Sequence, residues 1–101
     1  MSQYPIDIPQ AQMTVFCRDW RITELALFGS VVRDDFRPES DVDVLVTFAP
    51  DAEWSLFDLV QMQEDLQVML QRDVHLVEEA GLRNPFRRRA ILRDKQVIYA
   101  A

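Results

Sequence analysis

Ten residues, Val31 to Ser40, separate a Gly29-Ser30 pair from two aspartates, Asp41 and Asp43. On a strand, side chains at i and i+2 point to the same face. Asp41 and Asp43 therefore project together, while Val42 and Val44 turn the other way into a core. Paired carboxylates of this kind hold divalent metal ions. In two-metal sites the ions lie roughly 3.5–4 Å apart and clamp the attacking and leaving oxygens of a phosphoryl displacement. Mg²⁺ suits such a site because it accepts carboxylates together with substrate phosphates and water. Gly29 lacks a Cβ and lets a phosphate approach the backbone. Ser30 offers a hydroxyl and an N–H at an expected helix start, and Arg33 lies one turn later, within reach of the same phosphates.

Taken singly, these signals are weak. An Asp-x-Asp on a strand is most often a solvated face, and Gly-Ser is a common turn. The combination is more selective. A strand ending in Gly-Ser, an Arg three residues on, a polar connection, then Ser40-Asp41-Val42-Asp43 opening a buried strand together point to nucleotide handling.

The elements that must position these groups follow from periodicity. Pro9 to Trp20 is expected to be a helix, with Met13, Phe16, Cys17 and Trp20 on one side. Ile22 to Phe28 reads as a strand. A short helical turn is expected from Ser30 to Phe36, closed by Pro38. Asp41 to Phe48 is the clearest strand. Ser55 caps a helix to about Arg72, with Leu56, Leu59, Val60, Leu66, Met69 and Leu70 on its buried side. Asp73 to Glu78 is a third strand, and Ala80-Gly81 a turn. Asn84-Pro85 starts a helix to about Asp94, and Gln96 to Tyr99 closes the chain as a short strand. Strands alternating with helices give an α/β (α+β) class, with helices packed on a small mixed sheet.

At 101 residues the chain is expected to form one domain over 1–101, and 49% hydrophobic residues argue a packed core. The net charge of -6 makes nucleic-acid binding an unexpected role. Charge is segregated: 13 of 17 acidic residues lie between Asp34 and Glu79, and six of 11 basic residues between Arg83 and Lys95. The basic segment, with Arg87, Arg88 and Arg89, suits phosphate contact or an acidic partner. Trp20, Trp54 and Phe57 read as core or interface anchors, and Glu78 and Glu79 as solvent-facing. Cys17 is the single cysteine, so it reads as a buried small hydrophobe. No apolar run reaches membrane-spanning length and no signal peptide is visible, so a cytoplasmic protein is expected.

Phe28-Gly29-Ser30-Val31-Val32-Arg33 through Ser40-Asp41-Val42-Asp43-Val44 resembles the signature of the DNA polymerase beta-like nucleotidyltransferase superfamily. The small size and the spacing resemble its minimal nucleotidyltransferase (MNT) branch. The resemblance implies that fold, an NTP substrate such as ATP, a two-metal Mg²⁺ site, and transfer of a nucleoside monophosphate with release of pyrophosphate. By this resemblance Gly29, Ser30, Arg33 and Ser40 hold the nucleotide, and Asp41 and Asp43 hold the metals. The family's third carboxylate lies on a later strand, and here His75 stands in its place within Asp73-Val74-His75-Leu76-Val77. Three outcomes are open: His75 acts as general base, Asp73 substitutes, or nucleotide binding survives without transfer.

Proteins of this kind resemble antitoxins paired with helical HEPN ribonuclease toxins, which implies AMP transfer to a partner hydroxyl. A homo- or hetero-oligomer is compatible with that role. One alternative is a nucleotide-binding antitoxin that acts by contact. Another is a small-molecule (antibiotic) nucleotidyltransferase, though these usually carry an extra helical domain for the acceptor.

Overall fold

The computed structural model describes residues 4–101. Helix α1 (Gln10–Asp19) leads into strand β1 (Ile22–Phe28), a single 3-10 turn (Gly29–Val32) and strand β2 (Val42–Phe48). Helix α2 (Leu56–Leu70), strand β3 (Val74–Glu78), a second 3-10 turn (Glu79–Gly81), helix α3 (Pro85–Asp94) and strand β4 (Gln96–Ala100) follow. The sheet order is β3-β2-β1-β4. β1 pairs antiparallel with β2 and β4, whereas β2 and β3 run parallel, so the sheet is mixed as expected.

Alternation along the strands divides the core between the two faces. Leu25, Leu27, Val42, Val44 and Val46 point toward α1 and α2, where Met13, Phe16, Cys17, Met62, Leu66 and Leu70 meet them. Ala26, Phe28 and Leu45 point the other way, against Leu82 and Ile91 near and on α3. Val42, Val44 and Val46 are fully buried, and each contributes about 1.5–3 kcal/mol by leaving water. These valines anchor the strand that carries Asp43.

The helices start where the sequence places their caps. Ser55 and Asp58 form a reciprocal capping box at α2, and the Asn84 side chain accepts from Phe86 N–H and Arg87 N–H ahead of Pro85. Other expectations need correction. The turn after β1 spans only Gly29–Val32, because Arg33 is already extended (φ -118°, ψ 179°). Leu56 and Val60 are not in the buried side of α2: they are 74% and 49% exposed. The buried stripe runs through Met62, Leu66 and Leu70, which turns Leu56 and Val60 toward the flank beside β3. Phe57 is exposed as well, whereas Trp20 and Trp54 stack edge to face at 5.0 Å against the core. Glu79 does not simply face solvent. It accepts from the Thr47 hydroxyl at 2.7 Å and pairs with Arg88 at 3.3 Å.

Candidate functional site

One row of the sheet brings the chemistry together. Asp43 stands opposite Phe28 on β1 and opposite His75 on β3, so residues distant in sequence become cross-strand neighbours. Asp43 alternates with the buried Val42 and Val44 and shares the sheet face that α3 partly covers. Helix α3 also packs against the Gly29–Val32 turn. One Asp43 oxygen, Oδ1, lies 3.3 Å from His75 Nδ1. The other, Oδ2, faces the backbone of Gly29, and a Cβ placed on Gly29 would sit only 2.1 Å from it. Gly29 also adopts φ +74°, a left-handed conformation that side chains disfavour. Both facts require glycine: the turn folds over the carboxylate it precedes in the motif.

The Asp43 side chain is 26% exposed and His75 is 56% exposed, so the pair sits at an open edge of the sheet. With Nδ1 toward Asp43, Nε2 is the ring nitrogen left for another partner. Two glutamines from α2 hold the strand bearing His75. Gln67 Oε1 accepts from Val74 N–H at 3.1 Å and Gln63 Oε1 accepts from Leu76 N–H at 3.2 Å. These bonds cover the outer edge of β3 on either side of His75.

Asp41 is exposed and lies one residue ahead of β2, so it belongs to the approach to the strand rather than the strand itself. Ser30 is half-buried inside the 3-10 turn. That turn is too short to carry much of a helix dipole, so an anion there would rely on nearby N–H groups. Arg33 is exposed and meets Asp35 at 3.2 Å. The Arg33 guanidinium holds the Asp35 carboxyl below its usual range, first by hydrogen bonding. Ser40 Oγ accepts from Arg37 N–H at 3.0 Å and so shapes the loop before Asp41. Asp73 sends its backbone carbonyl to Val42 N–H at 2.9 Å.

Among the described residues no three His, Cys, Asp or Glu side chains are gathered to hold a metal ion by themselves. Asp43 beside the glycine turn offers one carboxylate, with the exposed Asp41 two residues ahead of it; Mg²⁺ can be bound through one or two carboxylates with substrate phosphates and water completing the shell.

Residues 11–98 match the family model of the nucleotidyltransferase domain. The chain belongs to the nucleotidyltransferase domain family. It is 31% identical over 78 residues to the protein adenylyltransferase MntA of Thermococcus cleftensis, covering 77% of this chain and 74% of that protein. A solved toxin-antitoxin structure with AMP-PNP shares its fold, with a TM-score of 0.74 and 18% identity, covering 93% of this chain and 75% of that one. A further fold match is a chain of the tri-AMPylated Shewanella oneidensis HEPN toxin in complex with MNT antitoxin. Its TM-score is 0.65 at 17% identity, over 91% of this chain and 70% of that chain. By class the protein is an enzyme, a nucleotidyltransferase, and it is similar to the protein adenylyltransferase MntA.

A groove of about 1130 Å³ lies elsewhere, between the segment around Tyr4 to Gln10 and the end of α2. None of the motif residues lines it, so volume alone is a poor guide to the chemistry here. Sequence reading also missed Gln63 and Gln67. Their only signal is two glutamines four residues apart on a helix flank, which by itself reads as a solvated surface. Cys17 is fully buried, and desolvation pushes its thiol up to about 12, which leaves it chemically inert as expected. No helix among the described residues is long and apolar enough to cross a membrane.

Proposed function

We propose that this nucleotidyltransferase moves AMP, or another nucleoside monophosphate, from an NTP to a hydroxyl on a HEPN-type partner in the cytoplasm and thereby acts as its antitoxin. The observation that carries this reading is the cross-sheet row in which Gly29, Asp43 and His75 converge. Support for the partner and the nucleotide comes from the fold shared with the HEPN–MNT complex and with the AMP-PNP-bound toxin-antitoxin structure.

In this reading Gly29 and Ser30 bind the triphosphate through backbone N–H groups, with Arg33 and Ser40 beside them. Asp41 and Asp43 hold Mg²⁺, which supplies charge neutralisation on the phosphate oxygens. The acceptor oxygen forms a bond to the α-phosphorus as the bond to pyrophosphate breaks. His75 receives the acceptor proton at Nε2 and Asp43 keeps the ring in place through Nδ1. The open edge around His75 leaves space for an acceptor supplied by another protein.

A second reading, neutralisation by contact with nucleotide binding retained, is favoured by one observation: a histidine, His75, stands opposite Asp43 where the family resemblance implies a third carboxylate. Transfer of α-phosphate-labelled ATP to the HEPN partner, with Mg²⁺, separates the two. Label on the partner with the native protein, and none with Asp41→Asn/Asp43→Asn, is the expected result. Inhibition of the partner that survives the double substitution, with no label in either case, supports the contact mechanism instead.

A further inference from the structure

Arg72 follows α2 directly, after Gln71 ends the helix in a left-handed conformation (φ 54°). Its Nη2 donates to the carbonyls of both Arg37 and Ser40, each at 2.9 Å. Its guanidinium also lies over the Phe36 ring, 4.6 Å from the centroid. The two carbonyls belong to one turn, because Ser40 N–H donates to Arg37 C=O and Ser40 Oγ accepts from Arg37 N–H. The next residue completes the arrangement: Asp73 C=O accepts from Val42 N–H at 2.9 Å. Consecutive residues 72 and 73 therefore hold Ser40 and Val42, the two neighbours of Asp41.

We infer that Arg72 is a positioning residue of the nucleotidyltransferase, fixing the loop that presents Asp41 to the nucleotide-bound metal. The inference rests on the metal-holding role of Asp41 proposed above. Asp41 lies one residue ahead of β2 and is exposed, so the β2–β3 ladder reaches it only through Val42, and its loop side is left to Ser40. The loop from Arg33 to Ser40 is mostly exposed, with Phe36 half-buried against the core, and it has no strand partner to set its shape. A planar guanidinium can serve two carbonyls and an aromatic face at once. A lysine ammonium is a point charge on a flexible stem and lacks the planar stacking surface.

The experiment compares native protein with Arg72→Met, Arg72→Lys, Asp41→Asn and Arg72→Met/Asp41→Asn. Two quantities are measured: amide hydrogen exchange in metal-free protein, and binding of ATP with Mg²⁺ by calorimetry. Arg72→Met is expected to speed exchange at the Ser40 and Val42 amides and to weaken Mg²⁺-ATP binding by about tenfold, with Lys recovering part of the loss. In the Asp41→Asn background the same substitution is expected to change binding by less than about twofold, since both act through one carboxylate. Unchanged exchange at Ser40 and Val42, or a full loss that persists without the Asp41 charge, overturns the role of Arg72. Should Asp41→Asn weaken binding while Arg72→Met does not, only the Arg72 inference fails. Should Asp41→Asn bind as tightly as native protein, the metal-holding reading fails and the inference with it. Phe36→Leu removes the stacking face alone, and it carries the same readouts if Arg72→Met does not fold.

Discussion

Gly29→Ala is the sharpest perturbation the geometry offers, because one methyl group tests both the backbone and the carboxylate. Holding a residue with a Cβ at φ +74° costs about 1–2 kcal/mol. The added Cβ would also meet Asp43 Oδ2 at 2.1 Å, where ordinary contact begins at 3.4 Å. The oxygen must retreat, and with it goes the 3.3 Å contact between Asp43 and His75. Such overpacking adds about 1–3 kcal/mol. For a domain of this size each kcal/mol lowers the midpoint of thermal unfolding by roughly 4–8 °C, so a fall of about 10 °C or more is expected.

The assay is thermal denaturation, with urea denaturation for the free energies, followed by fluorescence of Trp20 and Trp54, which pack against the core on the α1 and α2 side of the sheet. Two controls isolate the cause. Gly81→Ala meets nothing within 4 Å and has no left-handed φ, so it should change stability by less than about 1 kcal/mol. Asp43→Ala removes the colliding oxygen, so Gly29→Ala in that background should cost only the backbone strain of about 1–2 kcal/mol. If Gly29→Ala costs the same with and without the Asp43 carboxylate, the turn does not close over that carboxylate. The reasoning that links glycine to aspartate then fails.

Two further outcomes are expected. His75→Ala should lower transfer of labelled AMP by about 10²–10⁴-fold, and His75→Asp should restore part of it; equal rates in all three proteins would remove His75 from the reaction. Cys17 gives a pH prediction. Its folded thiol is raised from 9.0 to about 12 by desolvation. The resulting stabilisation is complete below pH 9 and is lost as pH rises toward 12, because only the unfolded chain ionises in that window. Native protein should therefore lose stability between these pH values faster than Cys17→Ala, and parallel pH profiles in urea melts would contradict the assignment.

Much of the fold was legible because the informative residues report on their own neighbourhood. Val42, Val44 and Val46 announce a strand buried on one face. Ser55 and Asn84 announce helix starts by the hydrogen bonds their side chains make locally. The site was legible through the family resemblance, which singled out both Asp43 and His75; that the two stand opposite each other on neighbouring strands comes from the register of the sheet. What was not legible depends on contacts between distant segments. Leu56 and Val60 fit the helical period but fall on the flank of α2 next to the sheet edge, which no periodicity specifies. Glu79 reads as a surface acid until Thr47 and Arg88 are brought against it. Arg72 carries no signal at all in one dimension, since its partners are two backbone carbonyls and a ring more than thirty positions away.

The placement of the two aspartates has a consequence for how such a small chain divides stability from chemistry. Asp43 sits on a strand whose intervening valines are fully buried, so its position is tied to the core and moves only if the sheet moves. Asp41 sits one residue outside that strand, where the positioning falls to local polar contacts from Arg72 and Asp73. One carboxylate is thus held within the packed sheet, and the other sits at its end, where Arg72 holds the loop side through Ser40. Substitutions in the valine stripe should therefore unfold the protein before they alter the site. Substitutions in the loop and its clamp should alter the site while the sheet stays intact.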